Sequence, residues 1–79
     1  MHLRKNREII AREVRVIGPD GKQYGVLALE EALSMARGFR MDLVEVAPNA
    51  TPPVARIVDY EKYEEEIRKR KTPPNYTDN

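Results

Sequence analysis

Residues 42–71, DLVEVAPNATPPVARIVDYEKYEEEIRKRK, decide the fold of this chain. Residues 42–46 form a short β-rich run that stops before Pro48, and residues 54–58 resume the same pattern. The loop between them contains three prolines, which have no N–H group to donate to a sheet. Asp59 then stands where a helix N-cap belongs, because its carboxylate can accept hydrogen bonds from the first turn. The stretch therefore predicts two strands joined by a rigid loop, followed at once by a charged helix.

The preceding residues predict a β-hairpin over residues 13–27. In the sequence GPDG at residues 18–21, Pro19 presets φ at the second turn position and Gly21 can take the positive φ that closes the hairpin. Gly25 within the second strand predicts a bulge or a close approach of two backbones. The side chains predicted to share a face are Val14 with Val16 in the first strand and Tyr24 with Val26 in the second.

Residues 28–37 predict an amphipathic helix, because apolar residues recur at the helical spacing i, i+3, i+4 and i+7. Gly38 is expected as the C′ residue just after the helix. Ala28 offers no side-chain oxygen as an N-cap, so this helix must depend on packing for its stability.

The third strand is predicted to turn Val44 and Val46 toward this helix. Asp42 and Glu45 are then expected nearer to solvent, since successive side chains of a strand point to opposite faces. In the fourth strand, residues 54–58, the pattern leaves open which face is buried.

The elements follow the order β-β-α-β-β, with one additional helix at the end. One helix across four strands indicates an α+β fold with a β-grasp-like four-stranded mixed sheet, whose strand order the sequence leaves open. We divide the chain into a basic N-terminal arm at residues 1–12, a globular domain at 13–58, a linker helix at 59–71 and a flexible tail at 72–79.

Composition excludes several classes of site. The chain has 79 residues, enough for one domain with one core. It contains no cysteine, which excludes disulfides and thiolate metal sites, and its one histidine is His2. No apolar run approaches the ~18 residues of a membrane helix. Because no nucleophile–base pair or metal-ligand spacing is present either, we expect no enzyme, no cofactor and no metal.

The remaining chemistry is positive charge. Residues 1–15 contain five Arg or Lys residues and two Glu residues, and such cations can contact RNA phosphates without reading base sequence. The alternatives are a solvated leader and a solvated terminal helix, since three Glu–Arg or Glu–Lys pairs at i, i+4 over residues 64–70 stabilise a helix in water. Tyr60 and Tyr63 could stack on bases, but packing of the helix on the domain is the favoured role. The predicted RNA- or ribosome-binding residues are Arg4, Lys5, Arg7, Arg12, Arg15, Arg56, Lys62, Arg68, Lys69, Arg70 and Lys71.

Beyond these patterns, the chain resembles the N-terminal domain of bacterial translation initiation factor 3. The residues that carry the resemblance are DLVEVAPNA at 42–50, PPVARIVDY at 52–60 and KY at 62–63, supported by NREI at 6–9 and VRVIGPDG at 14–21. The resemblance extends from residue 6 to about residue 71. It implies the β-grasp-like fold and the exposed linker helix of that family.

The resemblance also implies a cytoplasmic, non-enzymatic factor that binds the small ribosomal subunit, its RNA and its proteins, near the initiator tRNA. In that family the N-terminal domain helps to test start-codon pairing, the C-terminal domain hinders premature joining of the large subunit, and the linker helix couples the two. No counterpart of the C-terminal domain follows here, which favours a fragment cut in the linker over a free-standing relative. We expect a monomer without membrane contact.

Two residues depart from the family pattern, and one other hypothesis stays open. Glu61 stands where a small residue is usual, and Glu65 stands where an aromatic residue is usual, so both add negative charge to the last helix. The alternative hypothesis is a protein–protein adaptor with a β-grasp fold and no RNA contact. Ionic strength distinguishes the two, because phosphate contacts weaken steeply with salt and an apolar interface does not.

Overall fold

The structure, a computed structural model, describes the backbone of residues 3–71 and the side chains of residues 3–69. It confirms the predicted α+β fold with a four-stranded mixed sheet. The described elements are a 3₁₀ turn at Asn6–Glu8, β1 at Glu13–Ile17, β2 at Gln23–Ala28, α1 at Leu29–Gly38, β3 at Asp42–Ala47, β4 at Val54–Val58 and α2 at Tyr60–Lys71.

The sheet has the strand order β2-β1-β4-β3. β1 pairs antiparallel with β2 and parallel with β4, and β4 pairs antiparallel with β3. The two hairpin-like pairs therefore meet at a parallel centre, which α1 crosses on one face. We call the opposite face, turned away from α1, the open face.

The hairpin forms as predicted, but its bulge changes which side chains share a face. Gly21 has a φ of 88° in the turn and Gly25 has a φ of 81° in β2. Val16 pairs with Gly25 and the next residue, Ile17, pairs with Gln23, so β2 contains one extra residue. The expectation that Tyr24 and Val26 share a face is wrong, because this bulge reverses the alternation of side chains. The result is that Tyr24 packs against the core with Leu27, whereas Val26 is exposed.

Helix α1 begins near the predicted residue but ends later than predicted. The N–H of Ala28 donates to the Glu31 carboxylate at 3.2 Å, which satisfies one donor at an end that lacks a side-chain cap. At the other end Gly38 is still helical, and the residue with positive φ is Arg40, at 59°. The N–H groups of Arg40 and Met41 donate to Arg37 and Ala36, the pattern of a Schellman motif. Gly38 is therefore not the C′ residue, since the helix gains backbone hydrogen bonds by continuing.

The core lies between α1 and the sheet, and it corrects the predicted face of β3. Leu43 pairs with Ile57, and both are fully buried in the cluster that α1 covers. Val44 pairs with Arg56 on the open face, and neither Val44 nor Val46 belongs to the core cluster that α1 covers, so the expectation that they face the helix is wrong. Leu43 and Val44 are both apolar and both fully buried, so alternation alone could not indicate which of them faces α1. Glu45 lies on the side of Leu43 and is only 3% exposed, which also contradicts the expectation that it is near solvent.

The N-terminal segment, residues 3–12, packs on the domain more closely than the predicted arm. Lys5 forms an isolated antiparallel bridge with Val44, and the N–H of Glu45 donates to the carbonyl of Arg4 at 2.9 Å. Ile9 is 3% exposed and belongs to the core. These contacts join positions far apart in sequence, so the weak periodicity of the segment could not indicate them.

Helix α2 begins where the sequence predicts. The Asp59 carboxylate accepts from the N–H of Glu61 at 3.2 Å, which confirms it as the N-cap. No helix in the described part of the chain is long and apolar enough to cross a membrane. The predicted flexible tail at 72–79 lies outside the described residues, and the division into arm, domain, linker and tail stays a prediction.

Candidate nucleic-acid interface

The open face of the sheet carries a row of side chains set by strand register. Lys5 pairs with Val44, Val44 with Arg56, and Arg56 with Ile17, so these four side chains point to the same side. Neighbouring strands lie about 4.8 Å apart. The row therefore crosses the sheet with one cation at its edge and a second, Arg56, at its centre.

A third cation, Arg15, lies beside this row. It is two residues before Ile17 on β1, so it points to the open face and is a diagonal neighbour of Arg56 across the parallel β1–β4 pair. The Arg15 side chain is exposed and that of Arg56 is half-buried. Neither guanidinium forms a salt bridge or a hydrogen bond with another side chain within residues 3–69, and the Arg56 Nε is buried without a partner. These two groups thus present donors that the described structure does not use.

A cleft of about 250 Å³ joins the open face to the base of α2. Arg56 contributes to it from β4, and Lys62 and Tyr63 contribute from the first turns of the helix. Two predicted site residues from different elements therefore reach one depression. Asp59 and Glu66 also line it, so an anion that enters the cleft meets both signs of charge.

The cations of the N-terminal segment contact the protein itself. The Lys5 Nζ lies 4.9 Å from the centre of the Tyr60 ring, within the range of a cation–π interaction. The Arg4 Nη1 lies 3.3 Å from the Glu45 Oε1, and the Arg4 side chain is 49% exposed. Both cations can reach a ligand only by sharing or leaving these partners.

Arg7 and Arg12 lie near the N-terminal end of α1, away from the open face. Arg7 donates twice to the Glu30 carboxylate, at 2.7 and 3.2 Å. The hydrogen bond from Arg7 and its charge lower the pKa of Glu30, and the same pair raises the pKa of Arg7. Arg12 is exposed, and its carbonyl accepts from the N–H of Leu29 at 2.8 Å, which attaches the segment to the start of α1.

The predicted cations of α2 extend along the helix beyond the domain. Arg68 lies 3.9 Å from Glu64 and Lys69 lies 3.9 Å from Glu65, as the i, i+4 spacing predicts. The side chains of Arg70 and Lys71 lie outside the described residues. Exposed pairs of this kind contribute little to stability, so these cations remain accessible to a polyanion.

The structure thus separates the described site residues into four groups. Arg4 pairs with the buried carboxylate of Glu45. Lys5, Arg15, Arg56 and Lys62 meet at the open face and its cleft. The pair Arg7 and Arg12 lies beside α1, and the remaining described cations of α2 stand apart. Within the described residues, no group of His, Cys, Asp or Glu side chains could hold a metal ion.

Sequence reasoning missed one polar network at the edge of this interface. The Asn6 amide donates to the Asp42 Oδ1 at 2.9 Å and accepts from the N–H of Leu43 at 3.0 Å. The Asp42 Oδ2 accepts from the N–H of Tyr60 at 3.3 Å. Asn6 has a φ of 52°, which asparagine tolerates better than most residues. The only available signal was that Asn6 and Asp42 both belong to strings that carry the family resemblance, which does not predict that they touch.

Comparison with known proteins gives a consistent result along most of the chain. The sequence profile of the family described as translation initiation factor IF-3, N-terminal domain, matches residues 5–73. A translation initiation factor IF-3 of Anaeromyxobacter sp. (strain Fw109-5) is 60% identical over 60 residues, which cover 76% of this chain and 26% of the relative.

Two further relatives with the same name cover more of the chain. The protein of Chlamydia trachomatis is 50% identical over 70 residues, which cover 89% of this chain and 40% of the relative. The protein of Thermus thermophilus is 52% identical over 67 residues, covering 82% of this chain and 39% of the relative. The chain therefore spans well under half of the length of each of these relatives.

Proposed function

This chain belongs to the family of translation initiation factor IF-3 N-terminal domains, and from that membership we propose that it binds RNA of the small ribosomal subunit, beside the initiator tRNA, through the open face of its sheet. In this role it supports start-codon selection in the cytoplasm. Together with the C-terminal domain of such a factor, it keeps the large subunit from joining too early. It does so by binding and makes no covalent bond of its own.

One observation carries the choice of surface. Arg15 and Arg56 are diagonal neighbours on the open face, and their guanidinium groups have no acidic partner within residues 3–69. By contrast, Arg4 and Arg7 already contact carboxylates. A guanidinium without an acidic partner can bind a phosphate without first breaking an internal ion pair, and on the open face two such groups of the predicted site lie side by side.

The chemistry of these contacts suits a folded RNA surface. Guanidinium groups donate two parallel hydrogen bonds to phosphate oxygens and keep their charge at every physiological pH. Held on two adjacent strands, the two arginines fix the register of the protein along an RNA backbone without reading bases. Lys62 at the cleft and Lys5 at the sheet edge extend the same basic surface to either side.

The proposed function is tested by footprinting on small subunits that carry initiator tRNA. The parent chain is expected to protect backbone positions of ribosomal RNA or tRNA from hydroxyl radicals. The double variant Arg15→Glu, Arg56→Glu is expected to lose this protection while keeping the circular dichroism spectrum of the parent. The control for each single reversal is Arg37→Glu, which reverses one exposed cation on α1, outside the open face, and is expected to protect as the parent does.

Two results would count against this proposal. Equal protection by the parent and the double variant would reject the open face as the RNA surface. Retained binding to subunits with no dependence on salt would instead favour the protein–protein adaptor, because phosphate contacts release counterions and weaken steeply as salt rises.

A further inference from the structure

We propose that Asp42 is a positioning residue that couples the N-terminal segment to the direction of helix α2. A single carboxylate contacts both elements. Its Oδ1 accepts from the Asn6 amide at 2.9 Å, and its Oδ2 accepts from the N–H of Tyr60, the first residue of α2, at 3.3 Å. Movement of either element away from β3 breaks one of the two hydrogen bonds to this carboxylate and leaves it free to turn away from the other.

Helix α2 has few other contacts that could fix its direction. Its outer turns are charged, with intrahelical pairs at Glu64–Arg68 and Glu65–Lys69, and these pairs do not involve the sheet. The described molecule is elongated, with a longest extent of 48 Å, about twice the others of 25 and 21 Å. The direction of such a helix depends strongly on its first turn, where a small rotation moves the far end by a large distance.

The N-terminal segment contacts the same first turn that Asp59 caps. Lys5 places its ammonium over the ring of Tyr60, and Asn6 holds both Asp42 and the N–H of Leu43. Asp59 caps the helix from within the same stretch of chain. The cap can form whatever the direction of α2, whereas the contacts to Asp42 and Lys5 require one direction.

Coupling of this kind must act in both directions. If docking of the segment fixes the helix, then disturbing the first turn of the helix must loosen the segment. Under the proposed function, a phosphate that draws Lys5 away from Tyr60 also loosens α2. That last consequence rests on the proposed function, but the coupling itself does not require RNA and is tested without it.

The test measures the distance between α1 and α2 by pulsed electron spin resonance. The chain has no cysteine, so spin labels can be attached to Ser34→Cys on α1 and Glu65→Cys on α2, both exposed positions. The parent is expected to give one narrow distance distribution. Asn6→Gly removes the side-chain amide, and glycine tolerates the positive φ at that position. This variant is expected to broaden the distance distribution at least about twofold, because α2 then populates other directions.

Arg7→Ala is the matched control. Arg7 follows Asn6 in the chain, but it contacts Glu30 beside α1, so its removal should leave the width unchanged. A second readout is the exchange rate of the Glu45 N–H, which donates to the carbonyl of Arg4 and so reports whether the segment is docked. Tyr60→Pro, which removes the donor to Asp42 at a helix position that accepts proline, is expected to accelerate this exchange.

The proposal would be overturned by a helix that does not respond. If Asn6→Gly accelerates exchange at Glu45 while the distance distribution keeps its width, the segment has been released and the helix is independent of it. If Asn6→Gly leaves the exchange rate at Glu45 unchanged, the segment has stayed docked, and Asp42→Ala is measured instead because it removes both hydrogen bonds together. An unchanged width of the distance distribution in Asp42→Ala would equally refute the coupling. Because no RNA is present, these results are separate from success or failure of the footprinting experiment.

Discussion

The Arg4 guanidinium lies 3.3 Å from the Glu45 carboxylate, and the two side chains differ sharply in exposure, at 49% and 4%. A carboxylate buried to this degree loses most of its hydration and needs a donor. Arg4→Ala removes that donor and is expected to lower the free energy of unfolding by about 1–2 kcal/mol. This value lies toward the low end for an unsatisfied buried group, because solvent around the half-exposed Arg4 weakens the pair. Urea denaturation followed by circular dichroism measures this loss.

The control for this prediction is Arg12→Ala. Arg12 is an exposed cation of the same segment, and its side chain forms no salt bridge or side-chain hydrogen bond within residues 3–69. Its removal is expected to change stability by less than about 0.5 kcal/mol. Equal losses in the two variants would mean that general positive charge, and not the pairing with Glu45, stabilises this edge of the fold.

The contact between Arg7 and Glu30 predicts a dependence of stability on pH. The hydrogen bond and charge of Arg7 lower the pKa of Glu30 in the folded state. The ionised carboxylate therefore stabilises the fold above its unfolded pKa of about 4.3, and this contribution is lost as pH falls through the lower folded value.

Glu30→Gln removes this contribution at every pH. The difference in unfolding free energy between parent and variant is therefore expected to be largest near neutral pH and to shrink from about pH 5 downward. Urea denaturation at several pH values measures it. A difference that stays constant down to pH 3 would show that Glu30 acts through packing and not through its charge.

Two glycines are expected to respond in opposite directions to the same substitution. Gly25 has a φ of 81° at the bulge of β2, and an added Cβ there would meet no atom within 4 Å. Gly25→Ala is therefore expected to destabilise the domain by about 1–2 kcal/mol through backbone strain alone. Urea denaturation followed by circular dichroism measures the change.

Gly38→Ala is the matched comparison. Gly38 lies in the last turn of α1, and a Cβ there also meets no atom within 4 Å. Because alanine favours the helix and restricts the unfolded chain, Gly38→Ala is expected to stabilise by about 0.4–1 kcal/mol. A loss of stability in this variant would contradict the finding that the helix continues through Gly38 and closes at Arg40.

Local chemistry made much of the fold predictable. The turn at residues 18–21, the bulge at Gly25, the strand Val54–Val58 and the cap at Asp59 all follow from residues that act on their own neighbours. Proline, glycine and a capping carboxylate restrict the backbone within a few residues, so one sequence suffices to locate them.

The wrong predictions concern residues whose burial depends on pairing with a distant segment of the chain, which the local sequence does not indicate. Leu43 and Val44 are both fully buried, and only the register with β4 shows that Leu43 is the one that faces α1. Glu45 is buried because the N-terminal segment that contains Arg4 covers it. Arg4 and Glu45 are 41 positions apart in the chain. No periodicity within residues 1–12 indicates that Ile9 completes the core.

The candidate site shows the same division. The sequence identified the cations, because charge is a property of single residues. It could not group them, since Arg15 and Arg56 become neighbours only through a parallel pairing of β1 and β4. The link from Asn6 through Asp42 to Tyr60 likewise joins three distant segments and could not be predicted from spacing.

The central claim is that Arg56, at the centre of the open face, binds an RNA phosphate. It is tested most directly by the salt dependence of binding to small subunits that carry initiator tRNA, measured for the parent, Arg56→Ala and the α1 control Arg37→Ala. We predict that Arg56→Ala reduces the magnitude of the slope of log Kd against log salt concentration by about 1, as expected for one lost phosphate contact, and that Arg37→Ala leaves it unchanged. Equal slopes for the parent and a folded Arg56→Ala variant would contradict the claim.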